Sequence, residues 1–224
     1  MNPAAAPPNA PWRGVYAITS AALCADNGQL VAYCEAALRG GIRALQYRDK
    51  NNPPVVRRRL ATVLAGLCRH FHVPLIVNDD VELAAQVGAA GVHLGVTDGS
   101  IAAARARLGP AAVIGASCGH DLQRAQAALQ EGASYVAFGR FFPSRTKPDA
   151  PLAPLELLPA ARRQLQAPIC AIGGIHPDNG ATLVAAGADL LAAVEGVFDH
   201  ADVAQVTTAV QRYRALFDSA QPLS

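Results

Sequence analysis

Several short apolar runs end in polar groups suited to phosphate or cation chemistry. The first is Gln46-Tyr47-Arg48-Asp49-Lys50. Alternate residues of an extended strand share a face, which puts Gln46, Arg48 and Lys50 together. Two cations and an amide facing one way suit an oxyanion-rich ligand. If Asp49 pairs with Arg48 and Lys50, the run is instead an ordinary charged loop exit. Next comes Asn78-Asp79-Asp80, after the apolar Leu75-Ile76-Val77. A carboxylate directly before a helix is a natural N-cap, the role expected of Asp80. Asp79, beside Asn78, is open to capping and to ligating a hard cation. Asp98, at the end of His93-Leu94-Gly95-Val96-Thr97-Asp98, precedes a helix at Ser100–Leu108 and is open to the same two roles. Two carboxylates on neighbouring strand ends leave room for one Mg²⁺ that keeps waters and takes phosphate oxygens.

Further along, Gly115-Ala116-Ser117-Cys118 offers a small hydroxyl. The run from Gly139 to Pro148 carries Ser144, Thr146, Arg140, Arg145 and Lys147. It reads as a phosphate-grasping lid or as a surface loop. Gly173-Gly174 and Val194-Glu195-Gly196 place glycines where backbone N–H groups can approach a phosphate. His70, His72, His120, His176 and His200 gain nothing from their spacing and read as surface or loop residues. His93 is expected to point into packing rather than at a substrate.

These residues need elements to position them, and short β-rich runs alternate with helical-period segments. The strands are expected at Val15–Thr19, Ile42–Arg48, Leu75–Asn78, Val92–Leu94, Val113–Ala116, Tyr135–Phe138, Ile169–Ile172 and Leu190–Val194. Helical stretches lie at Gln29–Arg39, Val55–Phe71, Val81–Val87, Ile101–Leu108, Leu122–Glu131, Leu155–Leu165, Asn179–Ala186 and near Val203–Leu216, one after each strand. Arg57-Arg58-Arg59 falls in the second of these and reads as a solvated helix face. A helix ending in glycine before a new strand recurs at Gly40-Gly41, Gly88, Gly132 and Gly187, roughly 45–55 residues apart, which fits two βα units per repeat. The expected fold is a single-domain (β/α)₈ barrel over residues 13–224, preceded by a flexible Pro/Ala-rich tail at 1–12. A doubly wound sheet would carry a Gly-rich dinucleotide turn after the first strand, where this chain has Thr19-Ser20-Ala21-Ala22. In such a barrel the active site lies at the C-terminal ends of the strands, and the last two loops hold phosphate.

Composition agrees with a well-buried scaffold. Of 224 residues, 51% are hydrophobic and 16% charged, against roughly a quarter charged in an ordinary domain, so disorder is excluded as the main description. The 19 Lys and Arg nearly balance 17 Asp and Glu, which leaves no field to attract nucleic acid or an anionic membrane. Any anion must be bound locally. The five cysteines are scattered, with no C-x-x-C pair, so they read as buried thiols in a reducing compartment. The N-terminus has no basic segment before an apolar stretch. With no uncharged apolar run of about 18–20 residues, the expected location is the cytoplasm.

In order along the chain, the runs at Gln46–Lys50, Asn78-Asp79, His93-Leu94-Gly95 with Asp98, Gly115-Ala116-Ser117, Gly139 with Ser144, Thr146 and Lys147, and Ala171-Ile172-Gly173-Gly174-Ile175 resemble the motif series of the thiamine-phosphate synthase family over about residues 14 to 198. That family joins a pyrimidine diphosphate to a thiazole phosphate and releases pyrophosphate. The resemblance implies that Gln46, Arg48, Lys50, Asn78, Ser117 and Lys147 surround the pyrimidine diphosphate. Of these, Arg48, Lys50, Ser117 and Lys147 are expected to act in the chemistry. It further implies that Asp79 and Asp98 hold Mg²⁺, and that Ser144, Thr146, Gly174, Val194 and Glu195 receive the thiazole phosphate. The chain departs from the pattern at Val96, Arg140, Ser144 and Glu195, where the family often has Gln, Pro, Thr and Ser. A carboxylate would repel phosphate, so only the backbone N–H of Glu195 is expected to face it. The competing functions are a thiazole tautomerase-like paralogue, which would not need the diphosphate and metal set, and a non-catalytic thiamine-precursor binder, for which the sequence offers no appended recognition module. The sequence is compatible with a homo-oligomer.

Overall fold

Runs of Val, Ile, Leu and Ala favour pleated backbone, and in the computed structural model, which describes residues 12–144 and 151–219, they form eight strands. These are β1 (Gly14–Ile18), β2 (Ala44–Tyr47), β3 (Leu75–Asn78), β4 (Gly91–Leu94), β5 (Val113–Gly119), β6 (Tyr135–Gly139), β7 (Ile169–Ile172) and β8 (Leu190–Ala193). They close in chain order into a parallel barrel, with β1 pairing to both β2 and β8. The (β/α)₈ fold expected from the alternation is the fold observed.

The helices are α1 (Ala21–Ala25), α2 (Asn27–Gly40), α3 (Pro54–His70), α4 (Val81–Val87), α5 (Ile101–Leu108), α6 (Leu122–Gln130), α7 (Leu157–Gln164), α8 (Gly180–Ala185), α9 (Glu195–Phe198) and α10 (Val203–Asp218). One helix per strand was expected, and α1 and α9 are additional. Both are single turns too short to show a helical period in sequence. They sit directly after β1 and β8, at the end of the barrel where ligands bind. Side-chain caps begin most of the longer helices, including Asp26 to Gln29 N–H (2.9 Å) and Asp121 to Arg124 N–H (3.0 Å).

Strand alternation divides the core in two. Val15, Ala17, Leu45, Tyr47, Leu75 and Val77 face outward against the helices. Tyr16, Ile18, Ala44, Ile76, Tyr135, Ala137, Cys170, Leu190 and Ala192 fill the bore. Large rings fit there because a neighbour is small: a Cβ on Gly115 would lie 2.1 Å from Tyr135 Cζ. The same parity carries Gln46, Asn78, His93 and Ser117 to the inner face at the upper end of the strands. All five cysteines are free and buried. Among the described residues no helix is long and apolar enough to cross a membrane.

Candidate active site

The loop after β2 is tied down from within. Asp49, buried, accepts from Tyr47 OH (2.8 Å), from Asn52 Nδ2 (2.8 Å) and from the N–H groups of Asn51 and Asn52 (both 3.1 Å). It therefore does not neutralise Lys50, and the charged-loop-exit alternative fails. Lys50 reaches across to β3 and pairs with Asp79. Arg48 is placed by its backbone: its N–H donates to Thr19 Oγ1 (2.8 Å), and the same hydroxyl donates back to Arg48 C=O (3.1 Å). Thr19, fully buried at the end of β1, had no role in the sequence reading.

Asp79 adopts φ +63°, a left-handed conformation that Asp and Asn tolerate better than most residues. Its N–H donates to His93 C=O (2.9 Å) and its carboxylate accepts from Asn78 Nδ2 (2.6 Å). Burial alone would raise its pKa. Hydrogen bonds from Lys50, Asp98 and Asn78, with the lysine's charge, outweigh burial and hold it below the ordinary range. Asp98 is raised, first by its hydrogen bond with Asp79, then by burial and by repulsion from that carboxylate. The two carboxylates thus meet. Asp98 also accepts from Gly95 N–H (2.9 Å), while Ser100 Oγ caps α5 by accepting from Ala103 N–H (3.2 Å), so Asp98 does not cap that helix. Asp80 does cap α4, accepting from Leu83 N–H (2.8 Å).

An adjoining carboxylate pair, all oxygen, with an amide beside it is a donor set suited to a hard divalent cation. Among the described residues no cluster of three or more His, Cys, Asp or Glu is placed to hold a metal. A pair suits an ion that leaves its other positions to water and phosphate oxygens. Next to it opens a cavity of about 360 Å³ lined by Lys50, Arg57, Asn78, Asp79 and Asp80 among others. Arg57 was expected on a solvated face. Instead it turns toward this cavity, 3.8 Å from Asp80, with its Nε buried and unbonded.

Below the rim a polar line crosses the bore. Gln46 Nε2 donates to Tyr16 OH (2.7 Å), Tyr16 OH meets Tyr135 OH (2.9 Å), Tyr135 OH meets His93 Nδ1 (2.8 Å), and His93 Nε2 meets Ser117 Oγ (2.9 Å). His93 is buried, as expected. It touches Ser117 directly and reaches Gln46 through Tyr135 and Tyr16, a connection the sequence reading missed for it and for both tyrosines. The available signal was parity, since in the register of the barrel all three point to the same face as Gln46 and Ser117 on neighbouring strands.

The sequence pattern of the thiamine monophosphate synthase family matches residues 15–197, nearly the whole barrel. The chain belongs to that family. A solved thiamine phosphate pyrophosphorylase from Pyrococcus furiosus is 32% identical, superposes with a TM-score of 0.82, and the match covers 93% of this chain and 96% of that one. The enzyme of the same name from Bacteroides thetaiotaomicron is 16% identical (TM-score 0.62, covering 92% and 98%). Tryptophan synthase from Mycobacterium tuberculosis is 12% identical (TM-score 0.69, covering 92% and 93%). The last two likenesses are of fold alone. As a member of the thiamine monophosphate synthase family, the chain is a transferase of thiamine biosynthesis.

In this family member the loops after β6 and β7 pack backbone to backbone. Gly173 and Gly174 take φ +102° and +61°, and a Cβ on Gly174 would lie 2.1 Å from Pro143 C=O. A Cβ on Gly173 would meet Arg140 Cβ at 2.2 Å. Phe142 N–H donates to Gly173 C=O (3.0 Å). The glycines therefore seat one loop on the other, a role beyond admitting phosphate, and bring the 142–144 segment beside Gly174. Val194 and Glu195, both half-buried, start α9. Thr146 and Lys147 lie outside the described residues.

Proposed function

We propose that this chain condenses 4-amino-2-methyl-5-(diphosphomethyl)pyrimidine with thiazole phosphate, either 4-methyl-5-(2-phosphoethyl)thiazole or its carboxylated form, to give thiamine phosphate and pyrophosphate. The observation that carries this reading is the convergence of Lys50, Asn78, Asp79 and Asp98 on adjoining strand ends, at the same end of the barrel as Gln46 and Ser117. A charged group belongs at such a rim, and a neutral heterocycle against the uncharged side chains of Gln46 and Ser117 that top the packed bore. Residues 13–224 act as one catalytic unit. Five buried thiols suit the cytoplasm.

In the reaction the bond from the exocyclic methylene carbon to the diphosphate oxygen breaks, and its electron pair leaves with pyrophosphate. The amino-substituted ring donates charge to that carbon, and the thiazole nitrogen's lone pair forms the new C–N bond. Arg48, Lys50 and Lys147 attract the leaving diphosphate, while Gln46, Asn78 and Ser117 orient the pyrimidine. Asp79 and Asp98 would hold Mg²⁺, which when bound neutralises developing charge on the diphosphate oxygens. Ser144, Thr146, Gly174 and the Val194–Glu195 backbone receive the thiazole phosphate. No strong base is required. Removing one electrostatic partner of a leaving group costs about 3–4 kcal/mol in the barrier, or two to three orders in rate.

The test mixes purified chain, both heterocyclic phosphates and Mg²⁺, and measures pyrophosphate and thiamine phosphate. Stoichiometric appearance of both is the expected result. If both substrates bind and no thiamine phosphate forms, the synthase reading fails. Asp79→Ala should abolish Mg²⁺ activation in a folded protein.

A further inference from the structure

One cation at the rim is claimed by two partners. Lys50 Nζ donates to Asp79 Oδ2, the oxygen that also accepts from Asn78 Nδ2 at 2.6 Å. On the function proposed above, the same ammonium attracts the leaving diphosphate, and the same carboxylate, with Asp98, holds a divalent cation. An ammonium and a divalent cation on one carboxylate lie at most about 7 Å apart, whichever oxygens they take. They repel each other. Lys50 and the ion therefore compete for Asp79.

The surroundings let the lysine alone give way. Asp49, the preceding residue, is fixed by four hydrogen bonds, and Asp79 is anchored through its N–H to His93 C=O at 2.9 Å. The Lys50 side chain is 51% exposed, so its stem has room to swing. Arg57, which shares the cavity, pairs with Asp80 instead and does not stand in for it. Residue type agrees. The sequence has 17 arginines and two lysines, Lys50 and Lys147. A guanidinium grips a carboxylate through two parallel N–H bonds, whereas an ammonium is a compact charge on a flexible stem that passes readily between acceptors. In a chain whose basic residues are nearly all arginine, position 50 carries the cation suited to exchange.

We propose that Lys50 is an exchangeable counter-ion of Asp79, which holds the carboxylate until a divalent cation takes it and then transfers to the diphosphate. This rests on the function proposed above and adds how its two ligands are coupled. A cation that reaches Asp79 releases the lysine for the diphosphate. A diphosphate that engages Lys50 releases the carboxylate for the cation, so each ligand raises the other's affinity.

Two measurements test this, and neither reads activity. Protein labelled with ¹³C and ¹⁵N in lysine gives two side-chain NMR signals, assigned with Lys147→Arg. Saturating Mg²⁺, without substrate, should move the Lys50 signal toward its position in Asp79→Asn, and in that variant Mg²⁺ should leave it unmoved. A wild-type Lys50 signal that stays in place overturns the exchange. Calorimetry then compares Mg²⁺ binding by wild type and by Lys50→Met, which keeps a stem and removes the competitor. The variant should bind about fivefold more tightly or better. An equal or weaker affinity, or no Mg²⁺ binding by either protein, overturns the proposal. Wild type that makes thiamine phosphate with an unresponsive Lys50 loses the exchange alone. Wild type that makes none, with a responsive Lys50, loses the synthase reading and keeps the exchange.

Discussion

Thr19→Val should damage both stability and the site, although Thr19 touches no ligand group. Its hydroxyl accepts from Arg48 N–H at 2.8 Å and donates to Arg48 C=O at 3.1 Å. Valine has the same shape and no hydroxyl. The substitution strands the Arg48 N–H, at about 1–3 kcal/mol, and deletes a second bond worth about 0.5–1.5 kcal/mol. The carbonyl retains only the Cys24 thiol, 3.5 Å away. The expected loss is about 2–4 kcal/mol, a large part of the roughly 5–15 kcal/mol that holds a domain together. At about 2–4 °C per kcal/mol for a chain of this size, Tm falls by about 4–16 °C. Because the bond sets the height of Arg48 at the rim, kcat/KM should fall about ten- to a hundredfold. Thr19→Ser keeps the hydroxyl and should restore most of both losses. The measurements are thermal melts and steady-state pyrophosphate release on the three proteins. A valine variant that melts within about 1 °C of wild type, or a serine variant no better than valine, would refute the clamp.

Arg57 lines the cavity beside Lys50 and Asp79; if the diphosphate is held there, Arg57→Ala should raise KM for the pyrimidine diphosphate about two- to fivefold with kcat unchanged, and an unaltered KM would return Arg57 to an ordinary helix face. Gly115→Ala drives a methyl to 2.1 Å from Tyr135 Cζ and 2.5 Å from His93 Nδ1, and thermal melts should show a loss of about 1–3 kcal/mol. A neutral result would mean the stacked rings move aside. The cysteines carry a pH prediction. Burial raises the thiol of Cys24 to about 11 and those of Cys68 and Cys118 to about 12. Native protein should therefore react slowly with a thiolate-specific reagent at pH values where the denatured chain reacts at all five positions. The unfolded chain loses its thiol protons first, near pH 8.5, so the stability this provides is complete below about pH 8.5 and declines as pH rises toward the folded values. A Tm that is flat or rising from pH 8.5 to 10.5 would contradict that sign.

The barrel was legible because its strands and long helices repeat one pattern. Leu75–Asn78 and Ile169–Ile172 fall where the apolar runs predicted, and Val81–Val87 and Ile101–Leu108 match the helical period. The single turns α1 and α9 carry no period and were missed. At the rim, residue type narrowed the roles but left pairings open. Whether Lys50 answered Asp49 or Asp79, and whether Asp98 capped a helix, depended on contacts between loops distant in sequence. Arg57 misled for a related reason: three consecutive arginines point in three directions on a helix, and only packing decides which one turns inward. His93 and the two tyrosines were hidden differently. Each looks like a core residue taken singly, and their meaning lies in a chain of hydrogen bonds that draws one member from each of five strands.

On the function proposed above, that chain would let a nearly neutral scaffold separate two recognition tasks. The bore is lined by groups that keep their protons, because burial penalises the charged form of each phenol. Charge is confined to the rim, where Lys50, Arg57, Asp79 and Asp98 remain near solvent and can answer a diphosphate. Had the bore held a charge, its field would reach across a low-dielectric interior and compete with the rim for the ligand's phosphates. On the proposed function, a neutral bore would leave the attraction of the phosphates to the rim. Changes in the bore should therefore alter which ring is accepted, and changes at the rim should alter how strongly and how fast the phosphate end is handled. A bore variant that shifted salt dependence, or a rim variant that shifted ring preference, would show that the two tasks are not separate.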